Sequence, residues 1–279
     1  MSEKNLYRPY LARIEKITEE TPDTLTFRLV FEDEEVRNSF TFKTGQFAEY
    51  SVFGEGECTF CIASPPTRKG YVECTFKKAG RVTTALSSLQ EGDVIGFRGP
   101  YGNVFPVEEW EGKNLLYIAG GIGLAPVRCA IWTALDQREK FGDVTIVYGA
   151  RSEADLVYKH ELKEWDERDD VKLITTIDSA DNSPDWKGNT GFVPNILSKE
   201  KPSSDNTIAV LCGPPIMIKL TLPVLEELGF TPDRIYTTLE NRMKCGFGKC
   251  GRCNIGKVFV CVDGPVFTFE EINKLPPEF

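Results

Sequence analysis

Four cysteines near the carboxyl end, Cys245, Cys250, Cys253 and Cys261, stand in the run CGFGKCGRCNIGKVFVC, with the spacing C-x4-C-x2-C-x7-C. The first three have the spacing of a 2Fe–2S site. Two irons need four thiolates, and a short loop must fold around an inorganic core with its own amides turned to the sulfides. Gly246, Gly248, Gly251 and Gly256 permit that close approach and the positive φ angles it requires. Four cysteines also suffice for a structural zinc ion, although zinc ribbons usually pair two short C-x2-C knuckles and this run holds one. Unligated or disulfide-bonded cysteines are the third reading. On the iron–sulfur reading, something must deliver or collect electrons.

A second set of residues suits a nucleotide. YIAGGIGLAPVRCAIWTAL, Tyr117–Leu135, reads as a strand, a glycine-rich turn and a helix. Gly120, Gly121 and Gly123 would let backbone lie against a pyrophosphate, and Pro126 suits the first turn of the helix. A tight strand–helix connection would use the same glycines, and the spacing is not the G-x-G-x-x-G dinucleotide fingerprint. Arg151, in YGAR, and Cys212, Gly213 and Pro214, in LCGPPIM, follow two further apolar runs, at strand ends where open α/β sheets bind ligands. Arg151 could meet adenosine or phosphate, or be an ordinary surface arginine. A small thiol followed by Gly-Pro makes a narrow shelf for a nicotinamide, or a buried cysteine ahead of a turn. Near the amino end, KKAGRVTTAL offers Gly80, Arg81 and Thr83 in a turn before a short helix, again a phosphate-binding geometry. Cys58, Cys61 and Cys74 lack an evident fourth ligand and are read as ordinary thiols.

The elements that must position these residues change character along the chain. In the first hundred residues TLTFRLVF (Thr24–Phe31), QFAEYSVF (Gln46–Phe53), YVECTFKK (Tyr71–Lys78) and VIGFRG (Val94–Gly99) are short strands broken by Gly, Pro and Asp, with one helix predicted over Val82–Asp93. They predict a small antiparallel barrel. Then NLLYIAGG (Asn114–Gly121), DVTIVYGAR (Asp143–Arg151), VKLITTID (Val171–Asp178) and TIAVLCGP (Thr207–Pro214) are apolar runs between helical segments, the pattern of buried parallel strands. Ser179–Gly191 reads as a long loop. The fold class expected is a β-barrel followed by an α/β doubly wound parallel-sheet domain, with a small C-terminal cysteine module. The boundaries are 1–110, 111–234 and 235–279.

Composition narrows the function classes. The 279 residues carry a formal charge of −9 and one histidine, His160, which argues against a nucleic-acid partner and against histidine-based metal or triad chemistry. His160 lies in the charged helical stretch DLVYKHELKEW and reads as a surface residue. The segment MSEKNLYRPYLARIEKITEE has no apolar stretch, so neither signal peptide nor membrane span is expected. Nine cysteines without an export signal point to a reducing, cytoplasmic setting.

The order of barrel, GGIGLAP, YGAR, CGPP and terminal C-x4-C-x2-C resembles the ferredoxin–NADP reductase superfamily over nearly the whole chain. More narrowly, ETPDTLTFRL, FKTGQFAEYSVFGEGE, RGPYGNVFP, CGPPIMIKLTLPVLEELG and ENRMKCGFGKCGRCNIG resemble the gamma subunits of cytoplasmic sulfhydrogenases and related subunits of sulfite reductase and heterodisulfide reductase-linked complexes. The resemblance implies FAD against Phe60, Cys61, Ile62, Ala63 and Ser64, with Thr75, Phe76 and Lys77 beside it. Gly80, Arg81, Val82 and Thr83 would hold its phosphates. It implies NAD(P)H over Gly120, Gly121, Gly123, Pro126, Arg151, Cys212, Gly213 and Pro214, with Cys212 nearest the reacting nicotinamide, and a 2Fe–2S cluster on the four terminal cysteines. Superfamily members typically read Arg-x-Tyr-Ser-x-x-Ser at the flavin. This chain has Cys58, Phe60 and Cys61 there and keeps Ser64, so Arg81 or Lys77 would have to replace the arginine's charge. The activity implied is an NAD(P)H-dependent flavin and iron–sulfur oxidoreductase subunit, its partners being other redox subunits that carry iron–sulfur clusters, of hydrogenase or heterodisulfide reductase type. A dihydroorotate dehydrogenase electron-transfer subunit, a stand-alone NAD(P)H–ferredoxin reductase and a zinc-stapled adaptor are the alternatives.

Overall fold

The computed structural model describes residues 5–181 and 183–276. Within them the chain forms two compact units. One comprises the residues up to Phe105 together with Leu239–Val266 and those from Leu275, and the other comprises Pro106–Thr238 with Phe267–Lys274.

The first unit is built on a six-stranded antiparallel sheet. Its strands are β1 (Tyr10–Thr21), β2 (Thr24–Phe31), β3 (Phe47–Val52), β4 (Gly56–Cys61), β5 (Val72–Lys77) and β6 (Val94–Tyr101), in the order β4-β3-β6-β1-β2-β5. The amide of Ala63, just past β4, donates to the Glu73 carbonyl on β5 at 2.7 Å, which joins the two edges into a barrel. Alternation decides what goes inside. Ala12 and Ile14, Phe27 and Leu29, Ala48 and Tyr50, Cys74 and Phe76, and Ile95 and Phe97 all face one core. Edge-on aromatic pairs tie the strands across that core, Phe27 to Phe76 at 4.9 Å and Tyr50 to Phe97 at 5.3 Å between centroids. Each such pair contributes about 1 kcal/mol beyond its buried area. Helix α1 (Glu34–Ser39) begins at Asp33, whose carboxylate accepts from the Val36 amide at 3.1 Å.

Two strands join the four expected, and one helix is shorter than expected. The strand Tyr10–Thr21 carries no clear strand signal in the sequence, because few of its residues besides the inward-facing ones are apolar and its outer face is largely charged. Cys58–Cys61, for which the sequence predicts no element, lies in edge strand β4, whose side chains are mostly half-buried. The helix predicted over Val82–Asp93 is α2 (Arg81–Leu86). It stops because the Ser87 and Ser88 hydroxyls bond back to the carbonyls of Thr84 and Ala85, and the Asp93 carboxylate takes the Gln90 amide for a turn.

The second unit holds a seven-stranded sheet. Its members are β7 (Asn114–Gly120), β8 (Val144–Ala150), β9 (Val171–Ile177), β10 (Asn189–Thr190), β11 (Thr207–Cys212), β12 (Ile235–Thr238) and, after the short β13 (Asn254–Ile255) and β14 (Val258–Phe259) of the cysteine segment, β15 (Val266–Thr268). The order is β10-β9-β8-β7-β11-β12-β15, and the pairs from β10 through β12 are parallel. Strand β10 falls inside the stretch read as a loop, Ser179–Gly191, of which residue 182 lies outside the described set. Helices α3 (Leu124–Leu135), α4 (Lys159–Asp166), α5 (Val193–Glu200) and α6 (Pro215–Glu227) connect the strands, while α7 (Val260–Asp263) and α8 (Phe269–Ile272) follow later. Among the described residues no helix is long and apolar enough to cross a membrane.

Candidate redox sites

The cysteine segment packs on the outer face of the barrel strands. On β3, Ala48 and Tyr50 point into the barrel, so Phe47 points away from it. With half-buried Tyr101 it forms a second apolar cluster with Cys253, Ile255, Val260 and Cys261. The loop itself is shaped by Gly246, Gly248 and Gly251, at φ of 84°, 79° and 71°. A Cβ at Gly246 would run into the Tyr101 ring, and one at Gly248 would come within 2.8 Å of Val262. Amides turn inward as a sulfur-rich centre requires. Gly248 N donates to Cys261 Sγ at 3.1 Å, and Cys250 N to Cys245 Sγ at 3.4 Å.

The thiols stand in two pairs, Cys245 beside Cys250 and Cys253 beside Cys261. All nine cysteines are free of disulfides. Among the described residues no three Cys, His, Asp or Glu side chains converge as around a single ion. Four thiolates would suit two irons that share bridging sulfides, each iron taking two. The electrostatics are consistent with bound metal. Burial opposes a Cys245 thiolate, but the amides of Phe247, Cys250 and Lys249 and the Cys250 side chain outweigh it, lowering the pKa to about 7. Burial and the neighbouring Cys253 push Cys261 up to about 12, a penalty that metal cations in the loop would remove. Cys250 alone of the four is exposed.

Beneath this loop lies a buried charge cluster that sequence reading missed. Arg98 on β6 has its side chain 5% exposed and grips Glu57 with Nε at 2.8 Å and Nη2 at 3.0 Å. Its Nη1 donates to the Cys245 carbonyl at 3.1 Å, and Nη2 reaches the Lys244 carbonyl at 3.4 Å. Glu49 on β3 is 1% exposed. Its Oε2 accepts from the Thr59 hydroxyl at 2.8 Å, and its Oε1 has no partner. Burial raises the Glu49 pKa to about 7, with the Glu57 charge adding to the rise and the Thr59 hydrogen bond opposing it. Burial also opposes ionisation of Glu57, but the Arg98 and Ser51 hydrogen bonds overcome it and hold its pKa below normal. The one signal in the sequence was a lone arginine in the apolar run VIGFRG, at a position facing away from Ile95 and Phe97.

The segment expected to meet FAD divides by burial. Ile62, Ala63 and Ser64 are buried, and the Ser64 hydroxyl accepts the Glu73 amide at 3.0 Å. Phe60 and Cys61 are half-buried, Phe60 between Tyr50 and Phe76, with centroids at 5.7 and 5.6 Å. Thr75 and Phe76 are buried on β5, the Thr75 hydroxyl 2.8 Å from that of Thr26. Both candidate cations are engaged: Arg81 with Glu55 at 2.8 Å and Lys77 with Asp23 at 2.8 Å. At the turn before α2, the Thr83 hydroxyl takes the amides of Ala79 and Gly80, each at 2.9 Å, and a Cβ at Gly80 would meet nothing within 4 Å. A phosphate would find open space and backbone there. Arg81 and Lys77 would each have to leave its carboxylate to meet a phosphate there.

In the second unit the chain lays down β7, β8 and β9 in one direction and then returns to place β11 on the other side of β7. The carboxyl ends of β7 and β11 are therefore a topological switch point, where open α/β sheets bind ligands. Gly120, Gly121 and Gly123 end β7, and Cys212, Gly213 and Pro214 end β11, so the fold brings the two motifs together. Two of the glycines are required by that approach itself. A Cβ at Gly123 would lie 2.7 Å from the Cys212 carbonyl oxygen and 2.7 Å from Gly213 Cα, and one at Gly120 would strike Met217. Gly121, at φ of 55°, faces open space. Helix α3 starts at Leu124 with Pro126 in its first turn. The Cys212 thiol is buried, 3.0 Å from the Thr238 hydroxyl. Arg151 follows β8 as an exposed residue beside Asp178. His160 is on the surface of α4, 3.7 Å from Glu161.

Comparison with known proteins gives three consecutive domain matches. Residues 11–105 match the oxidoreductase FAD-binding domain, 117–222 the oxidoreductase NAD-binding domain, and 240–273 the iron–sulfur cluster binding domain of dihydroorotate dehydrogenase B. The chain is 40% identical to sulfhydrogenase 1 subunit gamma of Pyrococcus furiosus, over 99% of this chain and 96% of that one. It is 33% identical to the probable dihydroorotate dehydrogenase B electron transfer subunit of Methanocaldococcus jannaschii, over 95% and 92%. Among solved structures, the NADH-dependent reduced ferredoxin–NADP oxidoreductase superposes with a TM-score of 0.75 at 26% identity, over 99% of this chain and 91% of that one.

Proposed function

Because this chain belongs to the ferredoxin–NADP reductase-like oxidoreductases, as a relative of the sulfhydrogenase gamma subunits, we propose that it passes electrons between NAD(P)H and a partner redox subunit through FAD and a 2Fe–2S cluster. The observation that carries this reading is one chain joining a loop of paired, amide-bonded thiols to a glycine-lined switch point in a parallel sheet. Flavin, when bound, exchanges electrons in pairs with a nicotinamide and singly with a cluster.

The chain's own residues bind, orient and screen. Phe60 and Cys61, backed by buried Ile62, Ala63 and Ser64, line the isoalloxazine together with Thr75, Phe76 and Lys77. The turn Gly80–Thr83 takes the FAD phosphates, with Arg81 leaving Glu55 to meet them. Gly120, Gly121 and Gly123 and the first turn of α3 at Pro126 take the pyrophosphate of NAD(P)H, with Arg151 toward its adenosine end. Cys212, Gly213 and Pro214 form the shelf that orients the nicotinamide, Thr238 holding the thiol in place. Cys245, Cys250, Cys253 and Cys261 hold the cluster, and no side chain need move a proton. The partner is a cluster-bearing subunit of hydrogenase or heterodisulfide reductase type, and the setting is cytoplasmic.

A second reading, the dihydroorotate dehydrogenase electron-transfer subunit, is favoured by the family matched over residues 240–273. Anaerobic purification separates the two by the protein that accompanies the chain. The shared relay is tested by stopped-flow reduction with NADH or NADPH, in which flavin absorbance falls no later than the cluster signal. A colourless preparation without a reducible paramagnetic centre would refute it.

A further inference from the structure

We propose that Arg98 is the positioning residue of the iron–sulfur loop: it fixes the Cys245 end and sets the cluster's reduction potential by holding a buried positive charge against it. The inference rests on the cluster reading above. An arginine nearly without solvent contact is costly unless each of its N–H groups is satisfied. Here the acceptors come from three separated parts of the chain. Glu57 on β4 takes two bonds, the Leu6 carbonyl takes one at 3.2 Å, and the carbonyls of Lys244 and Cys245 take two more. The Tyr101 hydroxyl completes the shell at 3.2 Å. Arg98 therefore joins the barrel directly to the peptide of the first cluster ligand, and β6 fixes its place.

The orientation carries the electrostatic consequence. The two carbonyls of the loop lie at the guanidinium, whereas the balancing carboxylate of Glu57 sits on the barrel strand β4. The positive end of the pair thus faces the loop. Reduction adds negative charge to a cluster, so a fixed positive charge beside it favours the reduced form and raises the potential. Removing the arginine lowers the potential, and removing the charge of Glu57 raises it. A purely structural support has no reason to move the potential in opposite directions when either partner is lost.

The test uses the full chain, loaded anaerobically with iron and sulfide, with iron content and cluster midpoint potential read by spectroelectrochemistry. Arg98→Gln is expected to lower the potential, Glu57→Gln to raise it, and Arg98→Lys, which keeps the charge but not the forked geometry, to lie nearer the wild type than Arg98→Gln. Shifts of one sign, or fully loaded variants at the wild-type potential, would overturn the proposal. If Arg98→Gln does not hold iron, Glu57→Gln decides alone, a rise supporting the assignment and no rise overturning it. A wild-type chain that binds no iron would sink this inference and the relay together, whereas unchanged potentials in loaded variants would sink only this one.

Discussion

At the scale of single residues, Glu49 is a carboxylate held far from its ordinary chemistry. Its carboxyl is held at a pKa of about 7 where an ordinary glutamate has 4.5, because burial opposes its charge. The folded state therefore binds this proton more tightly than the unfolded chain does. The resulting penalty is absent below about pH 4.5, grows as pH rises toward 7, and is complete above it. Its full size is roughly 3 kcal/mol. Glu49→Gln should stabilise the protein at pH 8 by up to about that amount and change stability little at pH 4.5. Urea midpoints of both proteins at the two pH values read it, and an equal offset at both would contradict it. The four loop cysteines are legible as a candidate ligand set because spacing along a loop survives in one dimension. Arg98 and Glu49 were not, since their meaning comes from partners far away in sequence.

At the scale of elements, connection and packing can be told apart. Helices α3 and α4 are joined by a buried ion pair in which Arg128 Nε lies 2.7 Å from Glu161 and the Trp132 indole donates to the same carboxylate at 2.9 Å. Neutralising Glu161 strands a buried guanidinium. Glu161→Gln should cost about 3–5 kcal/mol, whereas Lys163→Gln, in an exposed pair 3.8 Å from Glu167, should cost less than about 1 kcal/mol. Chemical denaturation of the full chain compares them, and similar losses would remove the distinction. The four strands read from apolar runs in the second unit lie within a residue or two of their observed ends, since buried parallel strands need continuous apolar stretches. The charged outer face of β1 and the half-buried edge strand β4 hid their periodicity, and serine back-bonding cut α2 short. The glycines at the end of β7 suit a ligand by sequence, yet Gly120 and Gly123 already have a packing reason in the close approach of the turn after β11 and the start of α6.

At the scale of the molecule, a chain of net charge −9 places Arg242, Lys244, Lys249, Arg252 and Lys257 on the cysteine segment against only Glu240 and Asp263. All five cations are exposed, which makes them accessible to trypsin. Burying thiols in pairs is tolerable when metal compensates their charge, so binding free energy and local folding are coupled there. Removing iron with a chelator under anaerobic conditions should speed tryptic cleavage within residues 242–257 several-fold and leave the sheet built on Asn114–Cys212 protected. Mass spectrometry of the fragments locates the cuts. Equal cleavage with and without metal would mean that the loop holds its shape unaided.

The sequence by itself determined the chemistry on offer: a four-thiolate loop, a glycine-rich turn ahead of a helix, a barrel followed by a parallel sheet. Those are local properties, written in spacing and periodicity. Only the tertiary structure decided that Cys245 lies beside Cys250 and Cys261 beside Cys253, that the turns after β7 and β11 meet at a switch point, and that a buried arginine on β6 holds the Cys245 peptide. Each depends on which distant strands become neighbours, and that is settled by burial across the whole chain rather than by any segment of it.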